Sequence, residues 1–217
     1  MQELTHLEII PQKVEKIMIG LHGYGSDAND MLGLGMQFRD ILKNTAIISV
    51  NAPKDCETNI GGYQWFSLKT MNLFSILKEI KISARLLNNF IDTQLKRFNL
   101  TEKDLILYGF SQGAMMSLYT SLRRKMPLLA VLSFSGMLPD TVDSLKKEIQ
   151  SKPKIFMTNG MEDRIVPYTD LERTLSVLRE FDINVESHSI QGMEHMINDE
   201  CINLARKFLK ELKIILI

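Results

Sequence analysis

The sequence predicts an α/β protein with a mostly parallel, doubly wound central sheet flanked by helices. Three observations carry this. Short, nearly all-apolar, β-branched runs recur along the chain, which suits strands buried on both faces. Stretches of helical periodicity separate them in strict alternation. No internal repeat, low-complexity tract or Pro/Gly-rich linker interrupts the pattern, so residues 1–217 are expected to form a single domain.

Strands are expected at 16–21, 46–50, 105–108, 130–134, 154–158 and 185–190, with an antiparallel edge strand near 4–10. The clearest helix spans 74–98, where Ile80, Ala84, Leu87, Ile91, Leu95 and Phe98 share a face and Lys96 and Arg97 suit the C-terminal end of its dipole. A second, 112–125, places Met115, Leu118, Tyr119 and Leu122 together and stops before Pro127. Helices near 28–43, 141–150, 169–181 and 198–212 complete the alternation.

Hydrophobic content is 45% and charged content 24%, ordinary for a globular protein. Lys plus Arg balances Asp plus Glu at 26 each, so no basic field draws the chain to nucleic acid. The first residues lack the basic and apolar regions of a signal peptide, and no apolar run approaches the roughly 18 residues that span a bilayer. A cytoplasmic location is expected. Cys56 and Cys201 form no C-x-x-C pair, and the histidines lack a supporting ligand cluster, so neither a disulfide framework nor a metal site is expected.

In doubly wound sheets function gathers at the carboxyl ends of strands. Four such ends carry informative residues. After 105–108 comes Gly109-Phe110-Ser111-Gln112-Gly113, a G-x-S-x-G between strand and helix. This is the sequence form of a nucleophile elbow, where the chain turns so sharply that the serine hydroxyl projects from the sheet. After 16–21 comes His22-Gly23-Tyr24-Gly25, a loop able to bring an N–H to a substrate oxygen. With the residue after the serine, it would form an oxyanion hole from the amides of Tyr24 and Gln112. After 154–158, Glu162 and Asp163 compete for the acid position, and Asp163 is favoured by its place in Gly-x-x-Asp-x-x-Val-Pro. After 185–190, His195 stands in the loop before the last helix, whereas His188 lies within the strand, His22 in the glycine turn and His6 at the N-terminal edge. The order Ser111, Asp163, His195 is that of α/β-hydrolases.

These residues, with Leu21-His22-Gly23-Tyr24-Gly25-Ser26-Asp27, Trp65-Phe66 and Gly192-Met193-Glu194-His195, resemble the small carboxylesterase, lysophospholipase and acyl-protein thioesterase family. The resemblance spans nearly the whole chain. It implies a minimal α/β-hydrolase fold without a large cap domain, a catalytic triad of Ser111, Asp163 and His195, and Tyr24 and Gln112 in the oxyanion hole. It also places Trp65 and Phe66 beside the acyl pocket. Met193 and Met196, which flank the base, and Val166 in the acid's loop are further expected substrate contacts.

The implied activity is hydrolysis of carboxylic esters or thioesters of acyl chains through an acyl-serine, with no cofactor. A lysophospholipase or acyl-protein thioesterase is the alternative, a non-catalytic ligand sensor a further one, and a peptidase the remotest. Tyr24, Ser67 and Met196 depart from residues frequent in the family and bear on substrate choice. The segment 135–153 is too short for a large cap, so a shallow, open site is expected. The apolar, aperiodic residues 65–74 are candidates for lining an acyl groove or for transient contact with a membrane surface. The apolar end, Ile214-Ile215-Leu216-Ile217, is a candidate for contact with a second subunit in a homodimer.

Overall fold

A computed structural model of the chain describes residues 3–69 and 73–215. Its strands are β1 (His6–Ile9), β2 (Lys16–Leu21), β3 (Thr45–Val50), the two-residue β4 (Lys54–Asp55) and β5 (Tyr63–Gln64), β6 (Leu105–Phe110), β7 (Ala130–Phe134), β8 (Ile155–Gly160) and β9 (Val185–Ile190). The helices are α1 (Ala28–Met36), α2 (Leu73–Phe98), α3 (Gln112–Ser121), α4 (Val142–Glu148), α5 (Tyr168–Glu180) and α6 (Asp199–Ile215). Seven strands form one sheet in the order β1-β3-β2-β6-β7-β8-β9, with β4 and β5 a separate pair. Only the edge strand β1 runs antiparallel in the large sheet.

Alternation along the strands builds two cores. Ile17, Ile19 and Leu21 of β2 and Leu105 and Leu107 of β6 point to the face covered by α2, α3, α4 and α5. Met18, Ile106 and Tyr108 point to the opposite face, covered by α1 and α6. The buried stripe of α2 includes Ile80, Ala84, Leu87, Ile91 and Leu95, as its periodicity requires. β9 is half exposed because it pairs on one side only, with β8.

Two helices are shorter than the sequence pattern suggests. α1 ends at Met36, not near residue 43, and residues 37–42 continue in tight turns such as Phe38 N–H to Gly35 O at 3.1 Å. Gly33 and Gly35 weaken the helix, and a Cβ on Gly35 would fall 2.5 Å from the Tyr108 hydroxyl. α3 stops at Ser121 because the next turn delivers two arginines elsewhere: Arg123 to Asp140 and Glu148, Arg124 to Asn88, Asp92 and Glu102.

β2, with β3 on one side and β6 on the other, is where the chain reverses its direction of sheet growth. The crevice beyond its carboxyl end is where such sheets place their sites. Between β7 and β8 there is only the short α4, so no large cap covers that end. No helix among the described residues is long and apolar enough to cross a membrane. Residues 70–72, within the expected membrane-contact segment, and 216–217, in the expected subunit contact, lie outside the described residues.

Candidate active site

Ser111 occupies the turn between β6 and α3 with φ 53° and ψ −117°. A non-glycine residue held there carries strain of roughly 1–3 kcal/mol, retained only where the surroundings impose it. They do so here. The Ser111 N–H donates to Phe134 O at 3.0 Å, and its carbonyl accepts from Met115 N at 3.0 Å to start α3. Gly113 lets α3 press onto the end of β2, since a Cβ there would fall 1.9 Å from Leu21 O.

The Ser111 hydroxyl lies 2.9 Å from His195 Nε2, and His195 Nδ1 lies 2.7 Å from Asp163 Oδ2. The Asp163 side chain is fully buried and that of His195 18% exposed. Asp163 Oδ1 is occupied separately, accepting from Ile165 N at 2.8 Å and Val166 N at 2.9 Å. These two backbone donors fix the orientation of the carboxyl group. The second oxygen is thereby left to orient the imidazole. The neighbouring Glu162 is exposed.

The loops bearing these residues are fastened together. Glu162 N donates to Met193 O at 3.1 Å and Met161 N to Ile190 O at 3.0 Å. A Cβ on Gly160 would lie 2.0 Å from Met193 O, so this close approach requires glycine. The Ser135 hydroxyl donates to Met196 O at 3.1 Å, bracing the loop just beyond His195. Ser135 was not expected from sequence; its position after β7 is its only signal.

The backbone N–H groups of Tyr24 and Gln112 have no acceptor among the described residues, and both residues line the cavity beside Ser111. The Gln112 side chain is buried and holds the opposite wall: its oxygen accepts from Trp65 N at 3.1 Å and its nitrogen donates to Phe66 O at 2.8 Å. Trp65 Nε1 donates to His22 O at 3.0 Å. His22 Nδ1 donates to Gly23 O at 2.7 Å and Nε2 accepts from Ala52 N at 2.9 Å, a neutral tautomer. Burial pushes its imidazole below the ordinary value.

The cavity has a volume of about 900 Å³ and a mainly apolar wall. That is near the upper end for small-molecule sites, roughly 300–1,000 Å³. α1 lines it through Asp30, Met31 and Leu34, and the 137–139 loop through Met137 and Pro139. Phe66 and Val166 lie on its wall. Trp65 and Met193 do not. Trp65 is fully buried behind Phe66 against His22, at 5.8 Å between rings. Met193 is buried with its sulfur 3.5 Å from Cys201 Sγ. Met196, half exposed, takes the wall position beside the base.

The remaining histidines lie elsewhere. His188 pairs with Glu186 at 2.9 Å on the edge strand, and His6 packs on Phe90 with ring centres 5.1 Å apart. Sequence reasoning missed Leu34, Phe110, Met115 and Ile197 as wall residues, since apolar positions on helices, at a strand end or just before a helix read equally well as core.

The phospholipase/carboxylesterase family matches residues 5–213 of the chain. The acyl-protein thioesterase 1 of Mycosarcoma maydis is 28% identical over 216 residues, 88% of each chain. That of Candida albicans is 24% identical over 210 residues, 90% of this chain and 91% of the relative. Among solved structures, esterase PE8 superposes with a TM-score of 0.92 at 34% identity, covering 97% of this chain and 100% of that one. The carboxylesterase of Bacillus cereus superposes with a TM-score of 0.78 at 17% identity, covering 96% and 94%, a likeness of fold alone. The chain belongs to the phospholipase/carboxylesterase family and has the α/β-hydrolase fold.

Proposed function

We propose that this protein is a serine hydrolase that cleaves carboxylic esters of acyl chains through an acyl-enzyme on Ser111. The observation that carries the reading is the continuous chain of contacts from Ser111 Oγ through His195 to Asp163, at 2.9 and 2.7 Å. In this cycle His195 Nε2 takes the Ser111 proton as the hydroxyl attacks the carbonyl carbon. Asp163 holds the proton on Nδ1 and stabilises the imidazolium. The N–H groups of Tyr24 and Gln112 receive the developing oxyanion; removing one such donor has cost roughly 10²–10³ in rate in a known case. His195 then protonates the leaving oxygen, and afterwards activates the water that frees the acid. Every role falls to a protein group.

The apolar wall, with Phe66, Met115 and Val166 near Ser111, supports an acyl chain as the bound portion. A thioester or lysophospholipid substrate is the second reading, favoured by relatives that bear the name acyl-protein thioesterase. Leu68 and Phe74, on either side of residues 70–72, are 39% and 79% exposed, which supports contact of this part of the segment 65–74 with a lipid surface, while Trp65 and Phe66 at its start are buried. The reading is tested by following p-nitrophenyl butyrate hydrolysis by the wild type and Ser111→Ala. Wild-type turnover that vanishes in the variant is expected; equal rates in both contradict it.

A further inference from the structure

A site at the carboxyl edge of a sheet can draw its walls from both faces, and this cavity does. Phe66, Met115 and Met137 belong to the core on the α2, α3 and α5 face. Leu34, Phe110 and Ile197 belong to the core on the α1 and α6 face. Ser111 stands where the halves meet, between Phe110, which packs into one core, and Gln112, whose side chain is bonded to Phe66 in the other.

Proton transfer decides which half holds which side of an ester. The departing oxygen must lie against His195 Nε2, because that group protonates it. His195 is walled by the α1 and α6 half: the Phe110 ring packs on its imidazole with centres 4.9 Å apart, and Ile197 follows two residues later. The other half is tied to the Gln112 side chain through Trp65 N and Phe66 O. We infer that the half formed by Leu34, Phe110 and Ile197 is a leaving-group pocket, and that the preferred substrates are esters of neutral, apolar alcohols. The inference rests on the serine-hydrolase reading above.

Two charged side chains stand at the rim, both exposed: Asp30 on α1, the helix that carries Leu34, and Arg164 in the Asp163 loop beside Val166 of the other half. Asp30 lines the cavity from α1, exposed, with Oδ2 accepting from the Ser26 hydroxyl at 2.5 Å. Its carboxylate opposes an anionic leaving group, such as one carrying phosphate. An alcohol of several methylenes instead buries apolar surface against Leu34 and Ile197, each methylene adding roughly three- to fourfold in binding.

A matrix of substrates tests this. Butyrate esters of methyl to hexyl alcohols vary the leaving group at constant acyl chain; ethyl esters of acetic to octanoic acid vary the acyl chain at constant alcohol. Acid release in a pH-stat gives kcat/KM for each. The wild type should gain roughly three- to fourfold per alcohol methylene until the pocket is filled. Leu34→Ser and Ile197→Ser should flatten that slope and keep the acyl slope, whereas Met115→Ser should flatten the acyl slope and keep the alcohol slope. Each comparison is a ratio within one preparation, so partial misfolding does not imitate it. A wild-type kcat/KM independent of alcohol length, or an alcohol slope untouched in both Leu34→Ser and Ile197→Ser, overturns the leaving-group pocket while leaving the serine-hydrolase reading in place. A protein that hydrolyses no ester and takes no fluorophosphonate on Ser111 removes that reading, and the pocket with it.

Discussion

The side-chain nitrogen of Gln112 donates to the carbonyl of Phe66 at 2.8 Å, so the residue after the elbow serine also fastens the facing wall of the cavity. Its backbone N–H is a proposed oxyanion donor, and its side chain sets where Phe66 stands. Gln112→Leu leaves Trp65 N and Phe66 O without partners in a buried place. Two such groups destabilise by about 1–3 kcal/mol each. Thermal unfolding should shift down accordingly, and KM should rise more for long acyl esters than for acetate. An unchanged melting temperature would show that the wall does not depend on this bond.

Asp163→Asn tests the tautomer. Oδ1 already accepts from Ile165 and Val166 N–H, so the amide oxygen of an asparagine stays there and its NH₂ faces His195 Nδ1. Nδ1 must then accept, and the ring proton moves to Nε2, where it blocks transfer from Ser111. The expected loss in kcat is on the order of 10⁴-fold with folding retained, as for a triad aspartate replaced in the same way elsewhere. A variant within tenfold of wild type would remove Asp163 from the proposed machinery.

Gly160→Ala puts a methyl 2.0 Å from Met193 O. The carbonyl belongs to the loop that carries His195 and accepts from Glu162 N beside Asp163, so the acid and base loops must separate. Overpacking of this kind destabilises by about 1–3 kcal/mol. Denaturant unfolding should report that loss, and kcat should fall with it.

His22 makes stability depend on pH. Its imidazole lies below the ordinary 6.5 because burial disfavours the cation, and Nε2 must stay unprotonated to accept from Ala52 N. The unfolded chain takes up this proton first. Stability is therefore full above about pH 6.5 and falls as pH drops from there toward the lower folded value. Melting temperatures at pH 7.5 and 5.5 should differ more in the wild type than in His22→Gln, which carries no titrating group at that position. Equal differences would exclude His22 as the source.

Much of this architecture was legible in the residues. β2, β7 and β9 have the expected bounds because each ends at turn-forming residues, and α2 follows its stripe from Ile80 to Leu95. The positions of Ser111, Asp163 and His195 after their strands were legible too, since each follows a different strand in a fixed order. What escaped depends on side-chain direction. Trp65 and Phe66 are adjacent in the sequence, but one points into the protein against His22 and the other onto the cavity wall. Of Met193 and Met196, which both flank His195, only Met196 reaches the cavity wall, because the loop around His195 turns between them. The proposed leaving-group half was not legible because Leu34 and Ile197 carry no motif; they are brought together only as lining residues of the cavity that holds Ser111.

The central claim is that Ser111 is a nucleophile activated by His195, and covalent trapping tests it most directly. Intact-mass spectrometry of the protein with a fluorophosphonate, followed by peptide mapping, should show one adduct, on Ser111, absent in Ser111→Ala and greatly slowed in His195→Ala. An adduct on another residue, or equal labelling of Ser111 with and without His195, would contradict it.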